Sequence, residues 1–177
     1  AGTAVPLLEA AAAERPTDVG VLAPLADLYA AAGRRSDAAP LYQRLADEAR
    51  AARRMKDVAR YRQRQGALLE AAGDGVGAAE AYDEAFRVNP TDTLTMAGIG
   101  RLAMAAKDWD KARKVYRSLV LQNLDVASGL TKGDVYLALG EIHIALDEAP
   151  KAKGMFQRGL EIEPKHPRLL AAMAALG

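Results

Sequence analysis

Cysteine is absent from the 177 residues, so disulfides and thiolate-held metal are excluded. Phenylalanine and tryptophan are scarce, at two and one, which leaves tyrosine and the aliphatic residues to fill any core. No apolar run reaches the eighteen or so residues a membrane-spanning helix needs. The opening stretch, AGTAVPLLEAAAAE, lacks the basic segment followed by a long apolar one that marks a secretory signal. It also lacks an initiator methionine, which suggests a piece cut from a longer protein. A cytoplasmic location is expected, or the bacterial periplasm if the parent chain carries a signal elsewhere. The only histidines are His143 and His166. No nucleophile–base pair, phosphate-cradling loop or metal-spaced cluster is visible, so neither catalysis, cofactor nor small-molecule substrate is expected.

What remains is a chain of helix formers. Half the residues are hydrophobic, enough to bury a core. Apolar residues recur at helical spacing: VLAPLADLYAAAG puts Val21, Leu22, Leu25, Leu28 and Tyr29 on one stripe. Gly33, Gly73, Asn89-Pro90 and Glu163-Pro164 punctuate between such stripes. The pattern predicts an all-α chain of short antiparallel helices.

Four segments repeat one pattern: SDAAPLYQRL, VGAAEAYDEAF, WDKARKVYRSL and APKAKGMFQRGL. In each, a small residue precedes an aromatic by four positions: Ala38 and Tyr42, Ala78 and Tyr82, Ala112 and Tyr116, Ala152 and Phe156. The alanines recur at intervals of 40, 34 and 40 residues, as a duplicated two-unit block would. Each segment follows another helical stretch, most clearly VYLALGEIHIAL, with Tyr136, Leu139-Gly140 and His143. The whole resembles the tetratricopeptide repeat, in which W-x2-L-G-x2-Y precedes A-x3-F and then P. Leu22, Leu25-Ala26 and Tyr29 fit the first unit, Gly66 and Leu69 the second, and Met96, Ile99-Gly100 and Ala103 the third. Arg62 and Gln65 stand where the second unit should have Trp and Leu.

The resemblance implies one right-handed α-solenoid of the bacterial type. A partial unit over 1–16 would be followed by units over about 17–54, 55–90, 91–127 and 128–164, then a terminal helix over 165–177. First helices would line a concave groove and second helices the outside. Each 40-residue spacing exceeds the standard repeat by six residues, and the extra residues are expected as connections near Arg50–Lys56 and Asp125–Thr131. Neighbouring helix pairs must stack, because one pair cannot bury its apolar face alone. The end segments TAVPLLEAAAAERP and HPRLLAAMAALG read as continuation points of a longer array.

Several motifs carry a plainer reading than their chemistry suggests. GDGVGA, residues 73–78, fits a dinucleotide fingerprint, but a helix rather than a strand precedes it, so it reads as a turn. His143 takes the family's tyrosine position and is expected to pack. His166, in a proline-rich turn, is expected to be exposed. Met96, Met104, Met155 and Met173 fall at helical spacing and read as core or groove lining.

Charge is segregated within a chain of net charge +1. ARAARRMKDVARYRQRQ, residues 49–65, holds seven cations against Asp57, a local charge of +6. Arg50, Arg53, Arg54 and Lys56 are expected on an exposed elbow, and Arg60, Arg62 and Arg64 on the next helix. Surface aromatics are not interleaved, so nucleic-acid binding at physiological salt is not expected. The family register places Arg60, Gln63, Leu94, Arg101, Met104, Leu137, Glu141 and Ile144 in the groove, with Ala23, Asp27, Ala67, Glu70, Ala97 and Asp134 beside them. The lysines and asparagines with which chaperone-binding members clamp a carboxylate are missing. The expected function is a scaffold that binds a peptide or helix of a partner protein within a larger assembly, with Leu137, Ile144 and Met104 as uncovered apolar anchors. Self-association through apolar array ends is the alternative, and a nucleic-acid role for Arg50–Arg64 is a third.

Overall fold

Five helix starts among the described residues coincide with side-chain oxygens that satisfy the free backbone N–H groups of a first turn. In a computed structural model describing residues 4–124 and 126–177, Asp18 accepts from Gly20 N, Asp74 from Gly77 N, Asp92 from Thr95 N and Asp108 from Lys111 N, all at 2.8–3.0 Å. Thr131 and Asp134 form a reciprocal capping box. The helices so begun are α2 (Val19–Ala31), α5 (Gly75–Val88), α6 (Thr93–Ala105), α7 (Trp109–Leu121) and α8 (Lys132–Ala145). With α1 (Ala4–Glu14), α3 (Arg35–Ala51), α4 (Met55–Ala71), α9 (Ala149–Ile162) and α10 (Pro167–Leu176), they make an all-α fold; no strand occurs among the described residues. No helix is long and apolar enough to cross a membrane, among the described residues.

Five helix ends close in one way. The residue after the end takes a left-handed backbone: Gly33, Arg53, Gly73, Lys107 and Asp147 have φ between 57° and 84°. The following N–H then reaches back five residues, as from Arg34 to Tyr29 O at 2.9 Å and from Glu148 to His143 O at 2.8 Å. Each such turn sends the chain back along the helix it has just left.

The chain forms two compact units, Ala1–Pro90 and Thr91–Gly177. In the first, α1 to α5 pack in succession; in the second, α6 to α10 do so, and α10 also touches α8. In three of the four repeats the aromatic of the second helix packs on a glycine of the preceding one, and in the first Tyr42 shares a core with Ala26. A Cβ on Gly66 would lie 2.8 Å from the Tyr82 ring, one on Gly100 3.0 Å from Tyr116, and one on Gly140 would overlap Phe156. Leu22, Leu25, Tyr42, Leu45, Val58 and Tyr61 fill the first core, and Leu137, Ala152, Phe156 and Leu169 lie buried together in the second unit.

The two longer spacings are absorbed differently, and the first corrects the expected elbow. Near Arg50–Lys56 the extra residues lengthen α3 and α4, each 17 residues long. Only residues 52–54 connect them, so Arg50 closes α3 and Lys56 opens α4. ARAARRMK has no glycine or proline to break a helix, and alanine, arginine, methionine and lysine all extend one. The second stretch contains Ser128, Gly129 and Thr131, and its described residues join no α-helix, with one short 3-10 turn at Val126–Ser128. Asp125, at the start of that expected insertion, and residues 1–3 lie outside the described residues.

Candidate functional site

In each unit a hollow lies on the face of the first helices. In the first unit Asp27 and Ala30 of α2, Tyr42 of α3, and Gln63, Arg64, Ala67 and Leu68 of α4 enclose about 330 Å³. Asp27 is its electrostatic centre. Its Oδ1 accepts from the Tyr42 hydroxyl and lies 2.5 Å from an Arg64 guanidinium nitrogen. The same guanidinium sits 5.8 Å from the Tyr42 ring centroid. Burial, then the hydrogen bond to Asp27, pushes the Tyr42 hydroxyl up to about 12. This hollow is a polar floor held by a closed set of contacts.

The hollow of the second unit is apolar. Glu141 and Ile144 of α8, Phe156 of α9, and Ala172, Ala175 and Leu176 of α10 enclose about 340 Å³. Phe156, 2% exposed, forms the floor, and Ile144, 42% exposed, the open rim. With no hydroxyl below it, Glu141 turns to Arg168 of α10 at 3.1 Å, leaving the floor free of charge. The space suits one large aliphatic or aromatic side chain.

Among the residues expected in the groove, Gln63 lines the first hollow, and Glu141 and Ile144 the second. Leu137 is a correction: it is 2% exposed and packs with Ala152, Phe156 and Leu169, because α10 covers it. Arg60 is exposed beside the hollow's helix, paired with Asp57 at 2.9 Å and resting 4.9 Å from the Tyr61 ring centroid. Leu94 and Met104 are half-buried and Arg101 is exposed on α6, away from the lining of the second hollow. Arg64, Tyr42 and Phe156 were missed. Repeat register assigns the aromatics to the core, which is right for their rings, but their outer edges also make the groove floor. Arg64 lies one position off the inward register and reaches the hollow through the length of its side chain.

The Arg50–Arg64 cluster is largely neutralised. Arg50 pairs with Asp47 and Glu84, Arg54 and Arg60 with Asp57, and Arg64 with Asp27. Arg62 is buried: its Nε lies 2.8 Å from Glu84 Oε2, as a charge contact rather than an aligned hydrogen bond, while its other nitrogen donates to Gln43 and Gln65. It thus fills the place of the family's tryptophan by satisfying its charge inside. Only Arg53 and Lys56 lack an ion-pair partner among the described residues.

Both histidines are structural. His143, 3% exposed, places Nδ1 2.6 Å from Glu148, whose carboxyl is held below the usual range by Lys151 and then by His143. His166 corrects the expectation of exposure: its side chain is 10% exposed, capping α10 and touching Asp134. No group of three or more metal-ligating side chains occurs among the described residues.

Two family models, each described as tetratricopeptide repeat, match residues 21–56 and 69–132. The chain is a tetratricopeptide-repeat protein. Such repeats mediate protein–protein interaction. Among curated proteins it is similar to a cellulose synthase operon protein C of Pseudomonas fluorescens (strain SBW25), 26% identical over 116 residues, which is 66% of this chain and 9% of that protein. The chain therefore spans under a tenth of that relative. Among solved structures it is similar to the MamA protein, with a TM-score of 0.75 at 17% identity over 91% of this chain and 81% of that one. It is also similar to YrrB, described as a TPR protein with an unusual peptide-binding site, with a TM-score of 0.59 at 16% identity over 93% and 96% of the two chains. These likenesses are of tetratricopeptide fold.

Proposed function

We propose that this chain is a binding scaffold that takes a bulky apolar side chain of a partner protein's peptide or helix into the hollow of its second unit. The observation that carries this is the uncharged floor at Phe156 beneath the exposed Ile144 rim. An apolar anchor entering a concave site of this size gains the burial energy that repeat side chains alone leave unused. The relatives lend support: one belongs to a cellulose synthase operon, and another has a peptide-binding site. On the first of these likenesses, the assembly we propose for the chain is one of polysaccharide synthesis. The paired state of Arg50–Arg64 argues against a phosphate-binding face.

Peptides selected from a displayed random library against the chain provide the probe. Ile144→Asp and Ala172→Asp should each weaken the selected peptides about tenfold or more with helicity unchanged, while Arg53→Glu should leave them bound. Full binding in both hollow variants would move the site elsewhere. Self-association is the second reading, favoured by the exposed Leu7 on α1 and Leu170 on α10. Sedimentation at several concentrations tests it.

A further inference from the structure

We propose that His166 is a pH-sensitive cap of α10, the helix that walls the apolar hollow. His166 occupies the N-cap of α10, where its Nδ1 accepts from Leu169 N at 3.3 Å. An imidazole nitrogen that accepts carries no proton, so the ring's single hydrogen sits on Nε2. That nitrogen lies 3.1 Å from Asp134 Oδ1. The neutral ring is thus committed at both ends, to its own helix and to α8.

Acid changes one end only. A second proton must go to Nδ1, where it faces the Leu169 N–H and can no longer accept from it. The contact from Nε2 to Asp134 persists in the charged ring. Acid therefore uncaps α10 and leaves it tethered to α8 at the cap residue. The helix starts with Pro167 and carries no acidic side chain in its first turn, so nothing else compensates the lost acceptor.

The groups facing the ring are few. Asp134 comes from α8, where Thr131 hydrogen-bonds the same carboxylate. Glu163, at the end of α9, accepts from Gly133 N at 2.8 Å and Thr131 Oγ1 at 2.9 Å, and lies with His166 Cδ2 around the space above Gly133. Lys165 is its chain neighbour, and Arg168 is turned to Glu141. Burial raises the Asp134 carboxyl, but hydrogen bonds from Thr131 and His166 outweigh it and hold the group below the usual range. Asp134 hence stays ionised through the range in which imidazoles titrate.

Ala172, Ala175 and Leu176 stand on this helix, so its loosening would open one wall of the hollow. That consequence rests on the proposed use of the hollow; the capping claim does not. The test needs no ligand, so its failure leaves the binding reading untouched. Hydrogen–deuterium exchange of the whole chain, corrected for intrinsic rates, is measured at about pH 7.5 and about pH 5.5, on either side of the ordinary imidazole range. Protection at Leu169 and Leu170 should fall roughly fivefold in acid, the size of one lost cap. His166→Asn, which caps without titrating, should hold its protection at both pH values. Ring nitrogen shifts at neutral pH should show the proton on Nε2. Equal protection at both pH values, an equal acid loss in His166→Asn, a parallel loss across α2, or a neutral ring protonated at Nδ1 would each overturn the proposal.

Discussion

Tyr42 and Phe156 hold equivalent places in the first and last full repeats, and the floors they make differ by one hydroxyl. Beneath the first hollow that hydroxyl donates to Asp27, which also holds Arg64. Beneath the second there is only a ring edge, and the carboxylate at the matching repeat position, Glu141, pairs with Arg168 instead. The contrast extends into the interior. The first unit buries Arg62 with Glu84 and two glutamines, where the second buries Phe156, Leu137 and Leu169. It extends to the turns only in part: the first unit uses Gly33 and Gly73 but also Arg53, and the second Lys107 and Asp147. A common helix-pair frame therefore carries a charge-paired face in one unit and an apolar one in the other. The difference is made by single positions that the frame does not constrain.

The largest expected effect breaks the charged interior. Glu84→Ala leaves Arg62 buried with its charge uncompensated and should destabilise by about 3 kcal/mol, measured by denaturant unfolding. Adding Arg62→Met should recover most of that loss; if the double variant is no better than the single one, the pair is not the reason. Next, Gly140→Ala should cost about 2 kcal/mol in the same measurement, because its Cβ would overlap the buried Phe156 ring. An unchanged midpoint would mean that the ring has room to shift.

Tyr42→Phe converts the first floor to the second kind and should cost about 1 kcal/mol at neutral pH. It should also change the alkaline limb. The folded hydroxyl titrates near about 12, against about 10 in the unfolded chain. A raised acid of this sort contributes stability that is full below about 10 and lost as the pH rises toward 12. Wild type should lose that contribution over this window and Tyr42→Phe should not, as followed by thermal melting. The smallest effect has the opposite sign. Asp147 and Lys107 hold left-handed backbones at φ 62° and 58°. Asp147→Gly and Lys107→Gly should each raise stability by about 0.5–1 kcal/mol, through relief of that strain. A loss in both would show that their side chains contribute more than the backbone strain costs.

Much of the fold was legible because it depends on local rules. Helical spacing, the Ala-x3-aromatic pattern and the Asp and Thr caps all act within a few residues of one another. A binding groove is a matter of proposal: Ile144, Glu141 and Gln63 line hollows, while Leu137 has the same register and is covered. Register states which way a side chain faces, not whether a later helix lies over it. The extra residues near Arg50 read as a connection because a repeat length was counted, whereas helix propensity made them two longer helices.

By itself, then, the sequence determined the helix pairs, their capping and the small-on-large contacts that stack them, since each follows from backbone hydrogen bonding and side-chain volume at short range. Only the tertiary structure decided where the charges ended up. The +6 stretch is a matter of composition, and Asp47 and Asp57 answer it locally, but the rest of its neutralisation needs Asp27 and Glu84 brought from α2 and α5. The same holds for His166, whose role was set by Asp134, 32 residues earlier. Electrostatic and capping partners are chosen by distance in space, and a chain folded into stacked pairs places in contact residues that its linear order keeps apart.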